Sequence, residues 1–214
     1  MLRGTGKIQS RRNNFIFKHQ GVVTDDIQSL DRNSSPGKQD INTREGGTVQ
    51  ERNDYYFKKN NEYKHPGITL SGVNKNIKDS IDVAFINSSK DKKIINFFKV
   101  LDIAIKKYAN KYKLIESIKT SEINNIQYYK PGGGYPSLHY ERNYSKCHRQ
   151  LAYMLYLNTV TDKGGTEFPF QQLTLSANKG DLVIWPADFT HPHKGIISPT
   201  QEKYIVTGWF EIVI

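Results

Sequence analysis

Four separated groups of residues in the second half of the chain could assemble a metal-dependent active site. They are His139-Tyr140-Glu141, Gly164-Gly165, the pair His191 and His193, and Lys203. Two imidazoles and one carboxylate can occupy one face of an octahedral metal and leave the other face open, which is the coordination expected of non-haem Fe(II) oxygenases. A cation beyond the open face suits an anionic co-substrate. These residue types therefore favour an enzyme.

The spacing of these residues allows metal binding but does not by itself establish it. His139 and Glu141 are two positions apart, so in a strand both side chains project to the same face. A His-x-Glu pair arises easily by chance, and a lone histidine is more often a satisfied polar group than a ligand. His191 and His193 flank Pro192 and are also two apart. Periodicity therefore leaves the choice of distal ligand between them open.

The elements that must position these residues are predicted to be short strands. The β-rich runs after Thr120 are separated by Gly, Pro and Asn at strand-and-turn spacing, the pattern of an antiparallel sandwich or jelly roll. The predicted strands are 123–129, 150–157, 172–175, 181–185 and 204–214.

One helix is predicted near residues 91–113. The apolar residues Ile94, Phe98, Leu101, Ile105, Tyr108 and Tyr112 recur at three- and four-residue steps, and lysines line the other side. The fold class is therefore predicted to be α+β, with a double-stranded β-helix (jelly-roll) core from about residue 121 and N-terminal helices packed on it.

The N-terminal part of the chain is predicted to contribute little to this core. Residues 1–60 are rich in Asn, Gly, Ser, Lys and Arg, so we expect a loop-rich, partly mobile region followed by a single domain over 61–214. A short strand at Phe15-Ile16-Phe17 and a short helix at 25–30 are the local expectations there.

Composition limits the class of protein and its partners. The net charge of +10 and the isoelectric point near 9.5 favour an anionic substrate or partner, with nucleic acid as one candidate, although a solvated basic face explains the same excess. Cys147 is the only cysteine, so no internal disulfide framework can form. Neither a membrane-spanning apolar run nor a secretory leader is present in the sequence, which predicts a cytoplasmic location.

A longer series of motifs matches a known family in one order along the chain. The series is Tyr129-Lys-Pro-Gly-Gly-Gly-Tyr135, His139-x-Glu141, Arg149, Leu155-Tyr156-Leu157-Asn158, Gly164-Gly165-Thr-Glu-Phe168-Pro169, Lys179-Gly180-Asp181, His193-x-Gly195, Lys203 and Trp209. It resembles the Fe(II)/2-oxoglutarate-dependent dioxygenases of the prolyl 4-hydroxylase-like superfamily, especially the small members encoded by bacteriophages. The resemblance covers residues 120–214 well and 65–119 loosely.

The resemblance implies a role for each matching residue. His139, Glu141 and His193 would bind Fe(II), and His193 is preferred over His191 because Gly195 and Lys203 follow it at the family's spacing. Lys203 would pair with the distal carboxylate of 2-oxoglutarate. Tyr156 and Tyr129 would hydrogen-bond this co-substrate, and Arg149 would lie on the substrate side. Two aromatic residues are further candidates for the wall of the substrate pocket, namely Tyr135 and Trp185.

The sequence departs from the family pattern at two places. The usual carboxylate ligand is Asp, whereas this chain has Glu141, whose side chain is one methylene longer. The turn Gly164-Gly165-Thr166-Glu167-Phe168 is one residue shorter than the family's Gly-Gly-x-Thr-x-Phe. The first difference bears on the metal geometry, and the second concerns only a loop.

The implied activity is hydroxylation of an unidentified substrate, with release of succinate and CO₂ from 2-oxoglutarate. Fe(II), 2-oxoglutarate and O₂ would be required, with ascorbate as a further candidate, and the protein would act in the cytoplasm, which is the host cytoplasm for a phage-encoded enzyme. A prolyl or protein substrate, an amino acid and a nucleotide-type molecule all remain open. The alternatives are a basic jelly-roll binding module for nucleic acid or protein, and a metal-dependent hydrolase with a Zn²⁺ centre.

Overall fold

The computed structural model describes residues 15–20, 63–69, 72–113 and 117–213. The predicted helix at 25–30 lies outside the described residues. The strands are β1 Phe17–His19, β2 Tyr63–Pro66, β3 Ile68–Thr69, β4 Gly72–Val73, β5 Ile81–Ile86, β6 Ile118–Thr120, β7 Ile123–Tyr129, β8 Arg149–Tyr156, β9 Thr166–Phe168, β10 Leu173–Leu175, β11 Leu182–Pro186, β12 Lys194–Gly195 and β13 Lys203–Ile212, and the helix is α1 Lys92–Tyr112.

An eight-stranded antiparallel sheet forms the centre of the described part of the protein. Its order is β1-β11-β8-β13-β7-β5-β2, and β6 pairs with the C-terminal end of β13. A smaller sheet has the order β10-β9-β12, and β3 pairs with β4 as a two-stranded unit. The architecture is thus mostly antiparallel β-sheet with one α-helix among the described residues, as in a jelly-roll-like fold.

The helix forms where the sequence predicts it, with a small rotation of its buried face. Asp91 caps its N-terminus by accepting a hydrogen bond from the Lys93 amide at 2.7 Å, and Lys113 ends it in a left-handed conformation. Phe97 and Ala104 are fully buried in it, whereas the predicted Phe98 and Ile105 are only partly buried. The apolar stripe therefore faces the sheet about one residue away from the predicted centre.

The two faces of the large sheet pack against different elements. One face packs against α1 in an apolar cluster that contains Val83, Ile126, Leu155 and Val206. The other face packs against the smaller sheet, where Phe168 of β9 contacts Trp185 of β11 at a ring separation of 5.5 Å. A cavity opens on this second face. Because successive side chains of a strand project to opposite faces, every second residue points to the helix-covered core and the others point to the cavity side.

The sheet begins earlier in the chain than the sequence analysis predicts. Strands β2 and β5 precede α1 and extend the sheet beyond β7, while β1 pairs with β11 at the opposite edge. The predicted strand at 15–17 is displaced to Phe17–His19. Short segments such as β1 and β2 lack a period of their own, because their burial is set by partners far away in the sequence.

Candidate metal centre

Two backbone hydrogen bonds bring the distant histidines of the site together. The His139 amide donates to the His193 carbonyl at 3.0 Å, and the His193 amide donates to the His139 carbonyl at 2.9 Å. The two residues form an isolated antiparallel bridge outside the named strands. The Glu141 amide donates to the Ala187 carbonyl at 2.9 Å, so the same pairing continues past the first histidine. Residues 54 positions apart are therefore fixed side by side.

The three side chains converge on one point. The Glu141 Oε1 atom lies 3.7 Å from His139 Nε2 and 3.5 Å from His193 Nε2. One ligand atom from each residue lies within 4.8 Å of the other two. This spacing fits a single ion bound by all three, and two imidazole nitrogens with one carboxylate match the donor set of non-haem iron. His191 is not part of this cluster, and its Nδ1 lies 2.8 Å from the Thr190 hydroxyl.

The surroundings of both histidines favour one tautomer. His139 Nδ1 lies 2.8 Å from the Ser137 carbonyl, and His193 Nδ1 lies 3.1 Å from the His191 carbonyl. A carbonyl only accepts hydrogen bonds, so each Nδ1 carries the proton and each Nε2 presents its lone pair. The His139 ring also stacks on Tyr135 with 3.8 Å between centroids. Such contacts fix ring orientation before a metal binds.

Glu141 is held as an ionised carboxylate. Its Oε2 accepts a hydrogen bond from Trp209 Nε1 at 2.9 Å and lies 3.5 Å from Arg149 Nη1. Burial opposes ionisation, but the neighbouring imidazoles and the Arg149 guanidinium outweigh it and hold the pKa of Glu141 well below its usual range. Burial and the neighbouring His193 lower the pKa of His139 to about 4. Both groups are thus in the protonation state that binds metal at neutral pH.

Lys203 brings a buried positive charge to the same cavity. Its ammonium donates to the Gly164 carbonyl at 3.0 Å and lies 4.9 Å from the centre of the Tyr129 ring. Only 5% of the residue is exposed, and burial lowers its pKa to about 8. Among the described residues no carboxylate forms an ion pair with Lys203. A buried cation without a partner is costly, which is the signature of a position built for an anionic ligand.

The remaining predicted residues are found at different depths. Tyr129, Tyr135, Arg149 and Trp185 line the cavity. Tyr156 does not line it: the residue is fully buried, and its hydroxyl is hydrogen-bonded to the Thr166 hydroxyl at 2.7 Å. Thr166 itself borders the cavity.

Several cavity residues were missed by sequence reasoning. Trp209 and Thr207 follow Lys203 at two-residue steps on β13, so the alternation of the strand could have predicted that they face the cavity. Lys78 and Asp82 form a buried ion pair at 2.6 Å on the β5 side, and Asp82 also accepts from Ser80 at 2.7 Å. Nothing in the local sequence signals this pair, because it depends on the pairing of β5 with β7.

The cavity has a volume of about 760 Å³, which suits a small co-substrate together with part of a second molecule. The three converging side chains lie on its wall. Lys203 and Trp209 are six residues apart on β13, so Lys203 with Tyr129 marks one end of the cavity, and Trp209 with Arg149 and Lys146 marks the other. The arrangement can therefore hold an anion and a substrate at different ends of one cavity.

Comparisons with known proteins agree with this arrangement. Residues 124–211 match the model of the 2OG-Fe(II) oxygenase superfamily. That segment contains the three clustered side chains and Lys203, so the part of the chain that carries the site is similar to the 2OG-Fe(II) oxygenases. Members of that superfamily require Fe(II), 2-oxoglutarate and O₂. The sequence has no match among curated proteins.

Solved structures show the same fold. A Pseudomonas putida prolyl-4-hydroxylase is 17% identical, with a TM-score of 0.62 and coverage of 93% of this chain and 94% of that one. A viral collagen prolyl hydroxylase from Paramecium bursaria Chlorella virus-1, in complex with 2OG, is 17% identical at a TM-score of 0.60, covering 94% and 98%. A prolyl hydroxylase from Trichoplax adhaerens is 12% identical at a TM-score of 0.64, covering 94% and 84%. At these identities the similarity establishes the fold alone.

Proposed function

We propose that this protein hydroxylates its substrate with Fe(II) held by His139, Glu141 and His193, and with 2-oxoglutarate anchored by Lys203. The observation that carries the proposal is the convergence of the three ligand atoms within 4.8 Å on the wall of a cavity that also contains a buried lysine, for which the described residues supply no carboxylate partner. Bound there, ferrous iron would supply the oxygen chemistry, in which oxidative decarboxylation of 2-oxoglutarate accompanies hydroxylation. The protein would position the substrate and 2-oxoglutarate and would supply the charges around them.

Contacts around the three ligand residues leave one atom of each residue to bind the metal. Each histidine presents Nε2 because its Nδ1 is bonded to a backbone carbonyl, and Glu141 presents Oε1 because Trp209 and Arg149 hold Oε2. The longer Glu in place of Asp is thus accommodated by a hydrogen bond from Trp209. All three ligand residues line the cavity, so a metal bound by them would be accessible from it.

The co-substrate is proposed to lie between the metal and Lys203. A side chain at Gly195 would approach the Tyr135 carbonyl at 3.3 Å and the Lys203 ammonium at 3.7 Å, so the glycine keeps this path open. Tyr129 contributes the face of its ring beside the ammonium, while its hydroxyl is bonded to Gln127 at 2.7 Å. Tyr156 acts indirectly in this proposal, by fixing the hydroxyl of Thr166 at the cavity wall.

The substrate remains unidentified, and a prolyl or protein residue is the first candidate. The Trichoplax adhaerens relative was solved in complex with a hypoxia inducible factor oxygen degradation domain peptide fragment, which supports a polypeptide substrate by analogy. An amino acid or a nucleotide-type molecule also fits a cavity of this size. We further propose a cytoplasmic location and a double-stranded β-helix description of the two packed sheets. Among the described residues no helix is long and apolar enough to cross a membrane.

Other functions account for fewer observations. A basic binding module explains the lysine-rich outer face of α1 but assigns no role to the converging ligands. A Zn²⁺ hydrolase explains the ligands but leaves the buried Lys203 without a purpose. A dependence of turnover on 2-oxoglutarate separates these possibilities directly.

The test of the proposal is the effect of Lys203→Ala on two separate binding constants. We expect the variant to bind Fe(II) as the native protein does and to bind 2-oxoglutarate at least about a hundredfold more weakly, because removal of a buried charge partner costs several kcal/mol. Calorimetric titration under anaerobic conditions measures both constants. An exposed lysine far from the cavity, changed as Lys179→Ala, is the matched control. Unchanged affinity for 2-oxoglutarate in Lys203→Ala would refute the proposed pocket.

A further inference from the structure

The end of the cavity opposite Lys203 contains a second concentration of positive charge. The Arg149 guanidinium lies flat over the Trp209 ring, with 3.4 Å between its central carbon and the ring centroid. The Lys146 ammonium lies 5.9 Å from the same centroid. All three residues line the cavity, and only 8% of Arg149 is exposed. Two cations thus share one aromatic surface at the cavity mouth, where cation–π contacts hold them in place.

Negative charge near these cations is scarce. Within the described ranges Arg149 forms an ion pair only with Glu141, at 3.5 Å, and Lys146 forms none. Glu211 faces this end but lies 3.4 Å from His148, and Glu122 lies at the exposed rim. Glu141 is a metal ligand in the proposed function, so its charge is largely offset when the metal binds. Arg149 and Lys146 then lack adequate counter-charge inside a partly desolvated cavity.

We propose that Arg149, Lys146 and Trp209 form a subsite for an oxyanion group of the substrate, either a carboxylate or a phosphate. A planar guanidinium offers paired donors to such a group, and the lysine adds a point charge. The inference rests on the proposed function for the identity of the reaction, and on a metal bound at Glu141 for the balance of charge at Arg149 and Lys146.

The position of the subsite also limits which carbon is oxidised. Arg149 contacts Glu141 Oε2, and Oε1 of the same carboxylate faces the two histidines. An oxyanion held by Arg149 would therefore lie close to the residues that bind the metal, so few bonds would separate the oxidised carbon from the anionic group. A free amino acid or a nucleotide-type molecule meets this condition, and a polypeptide meets it where a carboxylate or a phosphate lies next to the oxidised residue.

Iodide quenching of tryptophan fluorescence tests the subsite without knowledge of the substrate. The chain has two tryptophans, and Trp185 is only 3% exposed, so Trp209 reports contact with a quencher. The probe is iodide, compared with neutral acrylamide, on the full chain loaded with Zn(II) and 2-oxoglutarate so that no turnover occurs. We expect quenching by iodide to saturate. The Lys146→Gln variant should need about threefold or more iodide for the same quenching, while its quenching by acrylamide stays at the native level. Lys179→Gln, which removes an equal charge elsewhere, should match the native protein.

Competition identifies the class of oxyanion. Either acetate or inorganic phosphate should relieve iodide quenching, and the more effective competitor indicates a carboxylate or a phosphate. Linear iodide quenching that is indifferent to Lys146→Gln, or relief by neither anion, overturns the subsite. Fe(II) bound together with 2-oxoglutarate is expected to give a visible absorption band. If the native protein gives no such band but its iodide quenching still saturates, the proposed function is contradicted and the subsite stands.

Discussion

At the scale of single residues, each proposed metal ligand makes a further hydrogen bond or ionic contact. This contact determines which atom of the ligand is left to bind the metal. The carbonyls of Ser137 and His191 accept from Nδ1 of His139 and His193, and Trp209 accompanies Arg149 at the far oxygen of Glu141. His191 is 5% exposed, but it lies outside the cluster of ligand atoms, and its backbone carbonyl rather than its ring supports His193. Chemical identity alone could not separate these two histidines, whereas their hydrogen bonds do.

The distal ligand is therefore predicted to be His193. His193→Ala should weaken Fe(II) binding by about two orders of magnitude or more, because one of three ligands is lost. His191→Ala keeps the backbone carbonyl that accepts from His193, so its Fe(II) affinity should fall less than about tenfold. Anaerobic metal titration of both variants gives the comparison. The opposite ranking would reassign the distal ligand to His191.

Lys203 should make 2-oxoglutarate binding depend on pH. Burial lowers the pKa of Lys203 to about 8, so the free protein carries the charge below that pH and loses it above. Affinity for the co-substrate should be constant below about pH 8 and fall by up to about tenfold per pH unit above it. Lys203→Arg stays protonated throughout, so this break should disappear in the variant. A native affinity that rises with pH through this range would contradict the assignment.

At the scale of elements, the sequence predicts the helix and the strand that have a local pattern of their own. It misses the strands whose place depends on pairing with distant residues. Strand β7 has the predicted bounds, and α1 begins and ends within one residue of the prediction, because each carries its own period and boundary signals. Strands β2 and β5 escaped prediction because their role comes from register with β7. Trp209 was noticed only as part of a motif, although it lies two residues after Thr207 and six after Lys203, and this even spacing along β13 places all three on the cavity side. Tyr156 matched a motif, yet its ring is enclosed behind Thr166.

Strand β13 contains one glycine whose missing side chain makes room for a buried hydrogen bond. The Tyr153 hydroxyl donates to Asn124 Oδ1 at 2.5 Å, and a Cβ atom on Gly208 would overlap both partners. Gly208→Ala should therefore destabilise the protein by about 1–3 kcal/mol, the usual cost of overpacking a core.

Thermal unfolding measures the effect of Gly208→Ala. Lys179→Ala, at an exposed position in a turn, is the comparison. A Gly208→Ala variant as stable as the native protein would show that Tyr153 and Asn124 can relax away from this position at little cost.

At the scale of the whole molecule, the N-terminal segment 15–20 supports one edge of the large sheet. Strand β1 pairs with β11, and Lys18 forms an ion pair with Asp181 at 2.6 Å. The hydroxyls of Tyr108 and Tyr112 on α1 donate to the carbonyls of Phe15 and Ile16, each at 3.2 Å. The segment 15–20 thus joins the helix to β11, the strand that contains Trp185 and precedes the distal histidine.

Replacement of residues 15–20 by a Gly/Ser linker of equal length should weaken this whole edge. We expect a lower thermal midpoint and faster exchange of amide hydrogens in β11, because its outer hydrogen bonds lose their partner. Hydrogen exchange followed by mass spectrometry locates the effect. The double change Tyr108→Phe and Tyr112→Phe should give a smaller shift in the same direction, since it removes only two hydrogen bonds. Unaltered exchange in β11 would mean that β1 contributes nothing to this edge.

The most direct test of the account is anaerobic titration of the metal-free protein with Fe(II) and then with 2-oxoglutarate, followed by visible absorption. The account predicts a weak charge-transfer band that forms only when the keto acid chelates ferrous iron in the native protein. It also predicts that His139→Ala and Glu141→Ala keep the native circular dichroism but bind no Fe(II) and give no band. A native band that survives in both variants, or tight Fe(II) binding without any band, would contradict the proposed metal centre.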